Sequence, residues 1–518
     1  MKLSAFAFKR FWDVHAWTGV ITGLLVYVMF TLGAFVLFYR PLTVWEEPRQ
    51  QTLAQELPSL QATLDLAKPL PEHEFYFYLP RDGHGLAQVG YYLPGTTAWR
   101  MWWLDAERGQ VLPKRELAAA YLYDLHYLWH DVTGYYLQYG AGLLVFGFLL
   151  SIVSGVLIHL KDLRRQLHQF RPAHSRRVLW SDMHKVTAVF GLPFQLVYAW
   201  TGAIMALAPL LFQLSIGPVF GGDERRALET AGALAEEAPA LDYGPPAESL
   251  SLDDLVAKAL VAEPRLTPEY FGFRGYGLQG ATVEVHGPIR GEPFGNGTVA
   301  LSAHDGSVVK VETPDDESAV GTLARFIHGL HTVEYGGLLA RWLMFVLAVA
   351  GCLAILTGNW VWLERRRAQA GTFGHRILAR LTVGIGAGVP VSVATLLLTS
   401  RLLPLDSPSR TINEQLVMAA LFGACVLYAL LARQVNTTWW RMLSLAALLF
   451  CALPFVAIRH SDRGLFGGGE HEPTVFAVDL AFLLGGLVLL AISLLLRHGL
   501  QRDAQAKAPT WAGEAVKP

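Results

Sequence analysis

Apolar residues gather into runs. Stretches near 16–38, 137–158, 186–208, 341–362, 379–399, 415–432, 439–458 and 476–496 each come close to the ~20 residues that cross ~30 Å of hydrocarbon as an α-helix. Eight transmembrane helices are therefore predicted. Between them lie two long polar stretches, about 41–120 and 212–325, with finer patterns of their own. "LPSLQATLDLAK" and "SLDDLVAKALVA" have helical spacing, and "EFYFYL" and "EYFGF" alternate as strands. "LDAERGQV" and "LSAHDGSV" each read as strand, turn and second strand. The expected fold is a mainly α, polytopic membrane protein with two small α+β modules inserted between its helices.

The first two-thirds of the chain is a duplication, which is sought before function. Helix one runs from His15 to Gly33-Ala34 in "TLGAF"; helix three runs from His184 to Gly202-Ala203 in "WTGAI". Both separate the histidine from the glycine by 18 residues. The small pair is expected to permit close backbone approach. Helix two ends "SIVSGVLIHLKDL" and helix four ends "AILTGNWVWLERR", a Ser/Thr-Gly followed by a basic exit. The two polar modules match as well. This predicts a parallel repeat about a pseudo-twofold axis along the membrane normal, divided as 1–40 (helix one), 41–120 (first module), 121–211 (helices two and three), 212–325 (second module) and 326–367 (helix four). A separate four-helix unit, 368–500, and a tail, 501–518, follow.

Charge sets the orientation. Lys2, Lys9 and Arg10 precede helix one; Lys161, Arg164, Arg165, Arg171, Arg176 and Arg177 separate helices two and three; Arg365, Arg366, Arg367 and Arg376 follow helix four, and Arg497, Arg502, Lys507 and Lys517 follow helix eight. By the positive-inside rule these segments are cytoplasmic, so both termini are inside and both modules lie outside. Without a small-residue cleavage site after it, helix one reads as a retained anchor. In a bacterium this is the inner membrane with two periplasmic modules. The net charge of −1 offers nothing for a polyanion, and nucleic acid is not an expected partner. Cys352, Cys425 and Cys451 all fall within spans, so the modules have no disulfide and no Cys-x-x-Cys motif.

Seven of the 17 histidines lie at the ends of the duplicated helices. His15, His159 and His184 are at the cytoplasmic ends of helices one, two and three. His126 and His130 in "YDLHYLWHDVTG", and His328 and His331 in "FIHGLHTVEYGG", precede helices two and four on the other side. A single interfacial histidine is most simply an amphipathic anchor. Matched positions in two repeats are different, because a twofold axis brings them to opposite sides of a shared space. Two imidazoles facing each other in an apolar bundle suit the axial positions of a haem iron. Non-haem iron or zinc is the rival, with Asp13, Asp124, Asp131, Asp182 and Glu334 adjacent as ligands or as acceptors that orient an imidazole. From His130 to His159 is 29 residues, about 43 Å if helical throughout, a long separation between two metal levels.

These residues are similar to the PepSY-associated transmembrane proteins, whose iron-regulated members include inner-membrane ferric-siderophore reductases. The resemblance covers about 8–367 and rests on "VHAWTG…TLGA", "YDLHYLWH…SGVLIHLKDL", "DMHKVTAVFGLPF…WTGA" and "IHGLH…LTGNWVWLERRR". It implies b-type haem, two in number, and electron transfer across the membrane to a periplasmic ferric siderophore. Carried over by position, His15, His126, His184 and His331 match the histidine-bearing motifs and are the expected axial ligands, with His130, His159 and His328 as alternatives. Trp99, Arg100, Trp102 and Trp103 in "AWRMWW" offer aromatic and cationic contacts to a chelate, or simply pack a small module core. The last four helices inherit no function.

An electron donor is not encoded: no dinucleotide-binding fingerprint occurs, and "GIGAG" at 384–388 lies within a span and reads as tight helix packing. A quinol or a cytoplasmic reductase is the expected source. Two other classes stay open, a non-catalytic sensor or regulator and a siderophore or haem permease. A permease needs polar groups along a path, and Gln195, Asn359 and Asp479 are the few that stand out.

Overall fold

A computed structural model describes residues 4–47, 56–68, 73–81, 85–93, 99–114, 117–128, 136–160, 170–171, 175–231, 243–292, 294–333, 336–404, 407, 409–457, 465 and 473–506. Among these, eight helices are long and apolar enough to cross a membrane. They are α1 (Ala5–Val36), α5 (Tyr136–His159), α7 (Leu192–Phe220), α11 (Gly337–Arg365), α12 (Phe373–Leu402), α13 (Arg410–Leu431), α14 (Val435–Ala457) and α15 (Pro473–Ala506). The chain is a multi-pass membrane protein, as its apolar runs predict. Several helices outrun those runs, because polar residues extend them. α1 starts at a Ser4 cap, whose hydroxyl accepts the Ala7 amide at 3.1 Å, and so carries His15 well inside its length.

Shorter helices link the spans to the polar modules: α2 (Tyr39–Glu46), α3 (Leu60–Asp65), α4 (Ala118–His126), α6 (Arg176–Phe190), α8 (Glu224–Ala231), α9 (Leu252–Ala262) and α10 (Ala319–Thr332). Gly191 alone separates α6 from α7. The predicted module helices are α3 and α9, each begun by a serine cap, Ser59 and Ser251.

The strands are β1 (Phe75–Tyr78), β2 (Ala87–Tyr92), β3 (Trp99–Asp105), β4 (Gln110–Pro113), β5 (Tyr270–Arg274), β6 (Thr282–Pro288), β7 (Asn296–Ser302) and β8 (Val308–Glu312). The two modules are not separate bodies. Each is a four-stranded antiparallel meander, and β1 pairs with β5, so all eight strands form one sheet in the order β4-β3-β2-β1-β5-β6-β7-β8. Alternation buries Phe75, Phe77, Val89, Phe271, Val283, Val285 and Val299 against Leu64 of α3 and Leu255 of α9. The turns predicted in "LDAERGQV" and "LSAHDGSV" close on Gly109 and Gly306, at φ +59° and +69°, where a side chain would be strained. The outer strands β4 and β8 lead directly toward α4 and α10, so each edge of the sheet feeds one short helix at the membrane.

The described spans pack around one large apolar cluster that includes Val26, Phe30, Phe148, Phe194, Ala199, Ile355 and Val393, and a second, within the C-terminal unit, of Val383, Ala387, Val391, Cys425, Ala429 and Met442. Small residues set helix spacing in the C-terminal unit too. Gly384 lies against Val426 and Ala429, Gly386 against Leu356 and Gly388 against Cys425, the close packing expected of "GIGAG". Polar contacts join the duplicated half to that unit: the Tyr27 hydroxyl donates to the Gly386 carbonyl at 2.6 Å, and Asn359 Nδ2 donates to Thr382 at 3.2 Å.

Candidate functional site

Two cavities lie in the duplicated bundle, one at each end. The far-side cavity, remote from the sheet, has a volume of about 300 Å³ and is lined by His15, His184 and His159 among apolar residues. The sheet-side cavity, about 420 Å³, is lined by His126, His331 and His328. The four histidines matched between the repeats pair as the twofold requires. The ring centroids of His15 and His184 are 6.0 Å apart, and those of His126 and His331 are 6.2 Å apart.

Each of the four imidazoles is held by Nδ1. His15 donates to the Ser151 carbonyl, His184 to the Ala354 carbonyl and His126 to the Met29 carbonyl, all at 2.8 Å. A carbonyl only accepts, so these rings carry the proton on Nδ1. His331 Nδ1 is 2.8 Å from the Thr201 hydroxyl, which itself donates to the Val197 carbonyl at 2.7 Å. That hydroxyl therefore accepts from His331, and the tautomer is the same. In the neutral form each ring then presents an unprotonated Nε2, the nitrogen a metal takes.

Four glycines make room for the rings. A Cβ on Gly33 would stand 2.6 Å from His126 Cε1, and one on Gly155 would stand 2.9 Å from His15 Cε1. At Gly358 the distance to His184 Cε1 would be 3.1 Å, and at Gly202 the distance to His331 would be 3.6 Å. These are the glycines of "TLGA", "SIVSG", "AILTG" and "WTGA". Close backbone approach was the role expected of Gly33 and Gly202; they and Gly155 and Gly358 each seat an imidazole. The motif was visible in the chain, but its partner was not.

The alternatives are sorted by symmetry. His159 ends α5 and lines the far-side cavity, but in the other repeat Trp362 stands four residues after Gly358 where His159 follows Gly155. His328 lines the sheet-side cavity, and Tyr123 precedes His126 at the matching offset. Neither has an imidazole opposite it. His130 lies outside the described residues, as do Asp131 and Glu334. The described carboxylates do not orient the rings: the buried Asp182 is bound by Arg171 at 2.9 Å and Lys185 at 3.2 Å, and Asp124 accepts from Tyr127.

The four residues of "AWRMWW" do not form one patch. On β3, Trp102 stacks on Tyr91 at 4.9 Å and packs against the module core. Trp103 is buried, Arg100 is exposed, and Trp99 meets Tyr76 and Tyr92 at 5.8 and 4.7 Å. Alternation sends neighbours in a strand to opposite faces, and a run of aromatic letters hides that.

The two levels are nearer than chain length suggests. Met29, which holds His126, is fourteen residues beyond His15 on α1, an axial rise of about 21 Å. Aromatic rings fill the interval: Phe148 lines the far-side cavity, Phe30 and Phe194 the sheet-side one, and Phe30 lies 5.7 and 5.2 Å from them. Tyr198 continues the series, 4.3 Å from Phe194 and 4.9 Å from the ring of His331. Cations stand at both ends, Lys185, Arg365 and Arg366 on the far-side lining and Arg40 and Arg341 on the sheet-side lining.

Helix α4 is secured at its start by Glu46, whose carboxylate accepts the amides of Ala118 and Ala119 at 2.7 and 3.1 Å. Trp45 beside it donates to Asp479 of α15 at 2.7 Å and lies 4.1 Å beneath the Arg401 guanidinium of α12. The C-terminal unit thus buttresses the helix that presents His126.

An uncharacterised protein of Pseudomonas aeruginosa is 28% identical over 372 residues, 70% of this chain and 89% of that protein. The PepSY-associated TM region matches residues 12–365, from the turn before His15 to the end of α11. The chain belongs to the PepSY-associated transmembrane family.

Proposed function

We propose that this protein moves electrons across the bacterial inner membrane through two b-type haems and reduces ferric iron, as a siderophore or similar chelate, on the periplasmic side where the sheet lies. His15 and His184 would hold one haem, His126 and His331 the other. The observation that carries this is one imidazole geometry repeated at both ends of an apolar bundle, each ring tied at Nδ1 with Nε2 left for a metal.

The spacing fits. With metal–nitrogen bonds of about 2.0–2.1 Å, two imidazoles that would hold one iron between them would have ring centres about 6 Å apart, and the pairs here stand at 6.0 and 6.2 Å. A bare ion fits less well. Zinc takes four ligands, three of them from protein in catalytic sites, and among the described residues no group of three or more His, Cys, Asp or Glu side chains is arranged to hold one. A porphyrin brings four nitrogens of its own and asks the chain for two.

When bound, haem supplies one-electron Fe(III)/Fe(II) chemistry inside the membrane. The chain does the rest. Ser151, Ala354, Met29 and Thr201 fix ring orientation and tautomer, Gly33, Gly155, Gly202 and Gly358 leave room for the rings, and the apolar walls exclude water. Siderophore oxygens bind Fe(III) far more tightly than Fe(II), so adding one electron loosens the chelate. A quinol or a cytoplasmic reductase delivers two electrons, one to each of two Fe(III) chelates that leave as Fe(II). Trp99 and Arg100 remain contact candidates for the chelate, whereas Trp102 and Trp103 are committed to packing.

The test is the visible spectrum of full-length protein purified from haem-replete cells, oxidised and then reduced with dithionite. Sharp b-type bands at two haems per chain are expected. Colourless protein would sink the proposal.

A further inference from the structure

The repeats diverge at several positions that touch an imidazole, among them Ser151 against Ala354 and Tyr198 against Met29, and at one of them the acceptor of Nδ1 changes in kind. "TLGA" and "WTGA" set Leu32 opposite Thr201. Leu32 is a buried core residue, while the Thr201 hydroxyl accepts Nδ1–H of His331. The other three rings donate to main-chain carbonyls, including His126, the partner of His331, which uses Met29. His15 has the Ser151 hydroxyl at 3.3 Å beside its carbonyl, whereas among the described contacts His331 Nδ1 has the Thr201 hydroxyl in place of a carbonyl. A peptide carbonyl is the stronger acceptor, and the stronger the acceptor at Nδ1, the more electron density Nε2 gives to a metal.

We infer that Thr201 tunes the reduction potential of the sheet-side site through the Nδ1–H of His331. The inference rests on the haem reading above and adds to it a residue that acts through a ligand. A less donating imidazole stabilises Fe(III) less, so the site accepts its electron more readily than it would with a carbonyl at that position. The direction suits delivery toward the sheet. Because the hydroxyl is itself engaged with Val197, it is fixed as acceptor, and the effect is a standing one. Tyr198, Arg40 and Arg341 also neighbour this site, but they are constant when position 201 alone is changed.

The experiment is a redox titration of the full chain in detergent, followed optically and resolved into two one-electron components. The sheet-side component is the one missing from His126→Ala. Thr201→Val keeps the bulk and removes the acceptor; it is expected to raise the sheet-side midpoint by about tenfold in equilibrium constant, 59 mV for one electron, with the far-side midpoint unchanged. Thr201→Ser restores the acceptor and is expected to titrate as wild type. If the valine protein does not assemble, Thr201→Ala is judged by the same shift. An unchanged sheet-side midpoint, a downward shift, or equal movement of both midpoints overturns the inference while leaving the haem reading intact; wild-type protein without pigment overturns both.

Discussion

His15 and His184 stand on the long helices of the bundle, α1 and the α6 that runs into α7, whereas His126 and His331 stand on α4 and α10, short helices fed from the edges of the sheet. The ring spacing is nearly the same in the two pairs, 6.0 and 6.2 Å. The support is not. Far-side rings donate to carbonyls of α5 and α11 at equivalent places in the two repeats. Sheet-side rings use a carbonyl in one case and a hydroxyl in the other. The helix starts differ as well: α10 is capped by its own Ser318, and α4 by Glu46 from another helix. A duplicated bundle can therefore hold two nearly equal ring spacings, at interplanar angles of 51° and 33°, while leaving one pair adjustable from the sheet and from the C-terminal unit.

Removing a ligand breaks the comparison most directly. His126→Ala or His331→Ala is expected to lose the sheet-side haem and keep the far-side one; His15→Ala or His184→Ala is expected to do the reverse. Pigment per chain, measured by extraction, falls by half in each case, and full retention in all four removes the assignment.

The glycines sharpen it. Gly33→Ala places a carbon 2.6 Å from His126, while Gly202→Ala leaves 3.6 Å to His331. The first contact is too close to persist and the second is ordinary packing. Sheet-side haem is expected to be lost or altered in its spectrum in Gly33→Ala and unchanged in Gly202→Ala. Equal behaviour of the two variants would show that the rings are not seated as described.

A smaller effect follows from Glu46. Glu46→Ala removes the acceptor of two amides at the start of α4, worth roughly 1–2 kcal/mol. Sheet-side haem is expected to pass to an acceptor such as apomyoglobin about 5- to 30-fold more readily, with the far-side haem unaffected. Smallest of all, His159→Ala and His328→Ala are expected to keep both haems, since Trp362 and Tyr123 stand at the matching positions of the other repeat. Loss of one haem in either variant would move the ligand assignment to that histidine.

Much of the fold is legible in the chain. Eight apolar runs, the His-to-Gly spacing, and the paired strand signals point to eight spans and a duplicated core, because hydrophobic length and repeat offset are properties of order along a chain. The fusion of the modules into one sheet is not legible, since β1 and β5 pair across nearly 200 residues and either could have been an edge. The pairing of buried charges in the last four helices is not legible either, although Asp479 itself stands out in the sequence. Arg410 and Glu414 pair at 2.7 Å with both side chains 3% exposed, and Arg401 and Asp479 flank Trp45; one turn of helix separates the first two, but nothing in the letters says they face inward.

Sequence alone determined the candidate set: seven histidines at two depths, with their matched glycines. Tertiary structure decided which of them pair and how. The acceptors that orient them come from 136 residues away for His15, 170 for His184 and 97 for His126. Those acceptors are main-chain carbonyls, which every residue possesses, so no residue type announces them. The fourth acceptor is the Thr201 side chain, and it became meaningful once the fold set it against His331.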